Sequence, residues 1–138
     1  MRLQQAEHNE RLSDHLLKLE EGSYHDWVVT TSFYACIHFV EHKIFPCSVD
    51  GIYFSTFGDY CYFKHRIQRT MASRHLLKAK LLDRIIPELS SRYRFLMDAC
   101  MNSRYHNYRV SFVKAKSCND RMKIIKYACR GTVYKSFE

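Results

Sequence analysis

A chain of 138 residues that is 46% hydrophobic and 14% aromatic can bury one core, and it is too apolar to remain disordered. Four Gly and two Pro argue against many short strands joined by tight turns and favour long helices. The net charge of +8 is uneven: from Arg109 onward, Arg109, Lys114, Lys116, Arg121, Lys123, Lys126, Arg130 and Lys135 face only Asp120 and Glu138. Such an end suits a phosphate-rich partner through counterion release, and equally suits a solvated helix face.

The first predicted helix runs roughly Leu3–Glu20, with His8, Leu12, His15, Leu16 and Leu19 on one face and Gly22-Ser23 ending it. The second runs from about Tyr24 to Phe45 and is stopped by Pro46. At about 100° per residue, Val29, Phe33, Cys36, Ile37, Val40 and Ile44 share an apolar face, and Trp27, Thr31, Tyr34, His38 and His42 share another. A long connection follows, Pro46 to about Phe63, with Asp50-Gly51 and Gly58-Asp59 as turn signals and Tyr53, Phe54, Phe57, Tyr60, Tyr62 and Phe63 as aromatic cover. The third helix is expected over Lys64–Ile86, with Ile67, Met71, Leu77, Leu81 and Ile85 inward, and Pro87 breaks it. The fourth covers Glu88–Arg104, with Leu89, Tyr93, Leu96, Met97 and Cys100 on one stripe. Tyr105–Val113 reads as irregular. The fifth starts near Ser117 as N-cap, with Asp120 in its first turn and Ile124, Ile125, Ala128 and Cys129 inward. The sum is a single all-α domain over residues 1–138, an up-and-down bundle of four to five helices.

None of Cys36, Cys47, Cys61, Cys100, Cys118 and Cys129 forms a C-x-x-C pair, so they read as small hydrophobes in a reducing compartment. The N-terminus has no apolar signal core, and no apolar run approaches a membrane span. A cytoplasmic protein without membrane partners is expected.

His38 and His42 stand four apart on one helix face, as metal ligands do, but no catalytic Glu or third ligand accompanies them. No metal or other cofactor is expected. His38, one turn after Tyr34, is a candidate acid or base. Arg104 ends an apolar stripe and needs an acceptor, either the carbonyls of its own helix end or a ligand phosphate. Asn102, Arg104, Tyr105, His106, Asn107, Tyr108 and Arg109 mix cations and aromatics as nucleotide-binding surfaces do. His65, Arg66 and Arg69 beside the loop aromatics form a second such group. P-loop, Rossmann glycine, G-x-S-x-G and serine-triad patterns are missing from the sequence.

Ala6-x-x-Asn9-x-x-Leu12, then Asp26-Trp27-Val28-Val29-Thr30 with Phe33-Tyr34-Ala35 and His38, then Ser103-Arg104-Tyr105, resembles a branch of the HEPN superfamily. This is a nucleotide-binding helical domain of prokaryotes and higher eukaryotes. The resemblance covers nearly the whole chain. It implies a four- or five-helix bundle, often a homodimer, that acts on RNA or binds a nucleotide. Many members are metal-independent endoribonucleases, often of toxin or phage-defence systems, and others only bind nucleotides or support a partner nucleotidyltransferase, so a cognate antitoxin or a nucleotidyltransferase is the partner the resemblance implies. In that setting His38 would be the acid or base, Tyr34 its orienting partner and Arg104 the phosphate holder, with Tyr105, His106, Arg109, Arg66 and Arg69 binding nucleic acid or phosphate. The family's nucleases place four to six residues between Arg and His. Here His106 follows Arg104 by two positions, and Arg69 and His75, which do have that spacing, lie on another helix. A non-catalytic helical interaction module, with Tyr34, His38 and Arg104 as a structural polar group, is the alternative.

Overall fold

The computed structural model describes residues 2–19 and 22–130. The helices are α1 (Arg2–Leu17), α2 (His25–Ile44), α3 (Phe57–Tyr62), α4 (Arg74–Ile85), α5 (Ser90–Tyr105) and α6 (Phe112–Arg130). A short antiparallel hairpin, β1 (Cys47–Val49) and β2 (Ile52–Phe54), lies between α2 and α3. The fold is all-α apart from that hairpin.

Helix α2 is the axis of the molecule and packs against α1, α5 and α6. Val29, Phe33, Cys36 and Val40 are fully buried, but so are Val28, Ala35, Phe39 and the small polar residue Ser32. The hydroxyls of Thr30 and Thr31 donate to the carbonyls of Asp26 and Trp27 one turn back (3.0 and 2.7 Å), which lets both be buried without a cost in unmade hydrogen bonds. Most of the circumference of α2 is therefore inside, and Thr31 belongs to the core. Trp27 and His42 stay at the surface, while Tyr34 and His38 are half-buried.

Cross-helix contacts fix the directions. Ser13 Oγ lies 2.8 Å from Ser32 Oγ across α1 and α2. The Phe33 and Tyr93 rings meet at 5.4 Å, and Cys100 Sγ is 4.0 Å from Thr30 Oγ1, so residue numbers run in opposite directions along α2 and α5. Asn119 Nδ2 donates to Ser13 Oγ (3.0 Å) and Asp14 Oδ1 (2.9 Å), and farther along Arg130 pairs with Glu7 at 2.6 Å. Helices α1, α2, α5 and α6 thus form an up-down-up-down bundle, with residues 45–89 inserted between its second and third members.

Four expectations are corrected. On α1 the buried positions are Ala6, Glu10 and Ser13, while His8, Leu12 and His15 are exposed. The helix meets α6 through ion pairs, so its inward stripe is set by polar complementarity and not by its leucines. The connection after Pro46 is not a plain loop. Asp50 (φ 52°) and Gly51 (φ 80°) make the two-residue left-handed turn that suits a hairpin. Gly58-Asp59 is no turn but the first turn of α3, capped by Thr56 Oγ1, which accepts from Asp59 N at 3.1 Å. Buried Phe54, Phe57 and Tyr60 do form the aromatic cover.

The single helix expected over Lys64–Ile86 is broken. A π-helical turn (Phe63–Ile67) closes with Gln68 N donating to Phe63 O at 3.0 Å, Arg69 takes φ 56°, and α4 restarts with Ser73 Oγ accepting from Leu76 N at 3.1 Å. The break turns Ile67 and Met71 outward, with Met71 97% exposed, and Ile85 at the end of α4 is exposed as well, while Leu77 and Leu81 stay in the core. Finally, α6 begins at Phe112. Ser111 is its cap, accepting from Lys114 N at 3.1 Å, and Ser117 lies inside the helix.

Candidate nucleic-acid interface

The α2–α5 contact brings Tyr34 and Arg104 together. Side chains on a helix lean toward its N-terminus, so residues on antiparallel neighbours lean toward each other. Arg104 Nη1 donates to the Tyr34 hydroxyl, and the guanidinium lies 5.9 Å from the Tyr34 ring centroid and 5.7 Å from that of Tyr105. The end of α5 does not use this guanidinium as its cap. His106 N and Asn107 N both donate to Asn102 O (3.0 and 2.9 Å). Arg104 has no carboxylate partner among the described residues.

His38 sits elsewhere on the same helix. Thr30 opposite Cys100 sets the Arg104 backbone level with the first turn of α2, about three turns from His38. Only the length of its side chain carries the guanidinium back to Tyr34. His106 is exposed just past α5, and Arg66 and Arg69 are exposed on the insertion between α2 and α5.

A notch of about 410 Å3 opens where the α1–α2 connection meets residues 106–111. Gly22, Ser23, His25, Tyr108, Arg109, Val110 and Ser111 line it, with no carboxylate among the described lining residues. His25 Nδ1 is 3.0 Å from Val110 O; as the carbonyl can only accept, Nδ1 carries the proton, and in that tautomer Nε2 is an acceptor. Asn107 Oδ1 accepts from Arg109 N at 2.9 Å, shaping the loop that presents the Arg109 guanidinium 5.9 Å from the Tyr108 ring. His25, Ser23 and Ser111 are members that sequence reasoning missed. Gly22-Ser23 reads only as a helix end, and Ser111 lies in what looks like a formless stretch. The signal that was available is a serine on the N-terminal side of an amphipathic run, at Ser111.

The basic end of the chain is mostly engaged. Lys123 Nζ bridges Glu10 (2.7 Å) and Asp14 (2.7 Å), Lys126 pairs with Glu10 (3.0 Å), and Lys116 pairs with Asp120 (2.5 Å). Lys135 lies outside the described residues. Burial alone would push the Asp14 carboxyl up, but hydrogen bonds from Lys123 and Asn119 outweigh it and hold the carboxyl below its usual value.

No group of three or more His, Cys, Asp or Glu side chains among the described residues is placed to hold a metal ion. All six cysteines are free thiols, and five of them are buried. Burial pushes Cys118 up to about 11 and Cys129 up to about 12, and Cys36 well above its ordinary value, so these three are inert packing groups. No helix among the described residues is long and apolar enough to cross a membrane. Comparison with protein-family models, curated proteins and solved structures finds no match for this chain.

Proposed function

We propose that this chain is an RNA- or nucleotide-binding protein of HEPN type, and that its ligand is held where α5 runs into residues 106–111. The observation that carries the reading is the notch of Ser23, His25, Tyr108, Arg109 and Ser111. It offers a guanidinium and two hydroxyls as donors, an imidazole nitrogen as acceptor and an aromatic ring, with no carboxylate among its described lining. That donor set suits a phosphate with a base stacked beside it. Arg104, near the Tyr34 and Tyr105 rings, supplies a second cation upstream of Tyr108 and Arg109 in the chain.

Anisotropy of a fluorescein-labelled RNA of about ten nucleotides, at about 50 mM salt, tests the reading. Binding should weaken as salt rises and fall about tenfold in Arg109→Ala. No binding at low salt would sink the proposal. A ribonuclease of a toxin or phage-defence system, with His38, Tyr34 and Arg104 as its machinery, is the stronger form. It requires cleavage that survives EDTA and disappears in His38→Ala and Arg104→Ala. The same reading carries a cytoplasmic homodimer with a cognate antitoxin or nucleotidyltransferase, which sedimentation at micromolar concentration addresses.

The second reading, a non-catalytic interaction module, is favoured by the Arg104–Tyr34 hydrogen bond, which ties α2 to α5 within the chain. In that case Arg104→Ala lowers the melting temperature and leaves RNA binding unchanged.

A further inference from the structure

Helix α6 has two charged sides. The side turned to α1 is neutralised by a ladder in which Glu7, Glu10 and Asp14 meet Arg130, Lys126 and Lys123. The other side borders an open groove of about 780 Å3 between α5 and α6. Val113, Lys116, Ser117, Asp120, Arg121 and Ile124 line one wall, recurring every three or four residues over about three turns of helix. Arg92 and Phe95 of α5 stand on the facing wall.

The groove pairs an apolar floor with a cationic rim. Phe112 is 53% exposed and Val113 77%, both large fractions for apolar side chains. Arg121 sits 3.9 Å and Lys114 4.3 Å from the Phe95 ring centroid, and Arg121 Nη1 donates to Ser117 Oγ. None of Arg92, Lys114 and Arg121 has a carboxylate partner among the described residues; Asp120 is held by Lys116.

We propose that this groove docks an acidic amphipathic helix of a partner protein. The helix would lay an apolar stripe on Phe112, Val113 and Ile124 and present carboxylates to Arg92 and Arg121. The molecule contains its own precedent for such a partner: α1 carries Glu7, Glu10 and Asp14 at spacings of three and four and meets the other side of α6 with them. Single-stranded nucleic acid fits this groove less well, because Val113, 77% exposed, and Ile124 line it with aliphatic surface that packs against an apolar stripe but gives a base no ring to stack on. The proposal is separate from the RNA-binding notch and uses none of its residues.

The test is anisotropy of a labelled synthetic helix of about sixteen residues, with Glu at i, i+3 and i+7 flanking a Leu stripe. The controls are a scrambled peptide of the same composition and a labelled oligouridine of about ten nucleotides. The helical peptide should bind at least about tenfold more tightly than the scrambled one. Arg92→Glu and Val113→Asp should each weaken it about tenfold with the melting temperature unchanged; Val113 is 77% exposed, so its variant reads binding free of any folding effect even if half-buried Arg92 does not. Equal binding of the scrambled peptide, no binding of the helical one, or indifference to both substitutions would overturn the proposal. So would oligouridine binding that depends on Arg92.

Discussion

The α1–α6 seam and the α5–α6 side of the bundle are built from the same residue types and use them in opposite ways. Along the seam, Lys123, Lys126 and Arg130 each meet a carboxylate of α1 within 3.0 Å. On the other side and at the adjoining end, Lys114, Arg121, Arg104 and Arg109 rest against aromatic rings, with no carboxylate partner among the described residues. A cation against a carboxylate has its charge cancelled and its geometry fixed. A cation against a ring keeps its charge and most of its donors, and those remain open to a ligand. The difference separates the charge that holds the fold from the charge that can recognise something, which the total of +8 does not do.

The paired extreme is Lys78, which docks α4 onto α2. It is 3% exposed, with Nζ 2.5 Å from Glu41 Oε2 and 4.2 Å from the Phe57 ring centroid. Lys78→Met removes the ammonium that faces the buried Glu41 carboxylate and should cost about 3–5 kcal/mol by urea unfolding, the largest effect expected here. Adding Glu41→Leu should recover most of it, because well-packed apolar residues replace a buried ion pair at little net cost. If the double variant is as unstable as the single one, the pair is more than mutual neutralisation. Burial lowers the Lys78 pKa from 10.5 to about 8. The unfolded chain therefore holds this proton more tightly, and the group's contribution to stability rises with pH from about 8 to about 10.5. Lys78→Met should lose that rise relative to wild type.

Next in size is the seam. Lys123→Ala removes one ammonium from two carboxylates, and a loss of about 1–2 kcal/mol is expected, with RNA affinity unchanged. If affinity falls in parallel, the seam is not purely structural. Asp14 is held below its ordinary value in the folded state. Its share of stability is present above the unfolded carboxylate pKa of 3.8 and is lost as pH falls through the lower folded value. Acid unfolding of Asp14→Asn should accordingly be less steep below about pH 4.

Much of the bundle is legible in the sequence, and the reasons are local. The α2 and α5 apolar runs are long, and Pro46 and Pro87 mark their outer limits. The α1 face is not legible. Its buried Glu10 and Ser13 look like surface residues until Lys123, Lys126 and Asn119, more than 100 positions away, supply their partners. The Lys64–Ile86 stretch misleads in the other way. Ile67 and Met71 keep helical spacing, but the π-turn and the left-handed Arg69 rotate them out of register. Of the candidate site, the proximity of Tyr34 and Arg104 follows from facing helices. The notch does not, because it joins Ser23 and His25 to Tyr108 and Arg109 across two connections. The charged tail shows the same limit, since periodicity tells which residues share a face but not what that face meets.

The smallest stability effects belong to the cations on rings, and they give the comparison its sharpest test. Arg109 is exposed, with its guanidinium 5.9 Å from the ring centroid of its neighbour Tyr108, so Arg109→Ala should change stability by less than about 0.5 kcal/mol while weakening RNA binding. Arg104 is the borderline case, because its bond to Tyr34 crosses from α5 to α2. A cycle of Arg104→Ala and Tyr34→Phe measures that bond directly. An exposed guanidinium–phenol pair should show a coupling of no more than about 1 kcal/mol, since water replaces most of what the partner supplies. A larger coupling places Arg104 with the seam residues, as part of what fixes α5 on α2. A small one, together with loss of RNA binding in Arg104→Ala, places it with Arg109 as a group whose donors face outward. The conservative Arg104→Lys separates these outcomes again. A point charge should preserve most of a phosphate contact, but it loses the guanidinium's hydrogen bond to Tyr34 and its approach to the Tyr34 and Tyr105 rings.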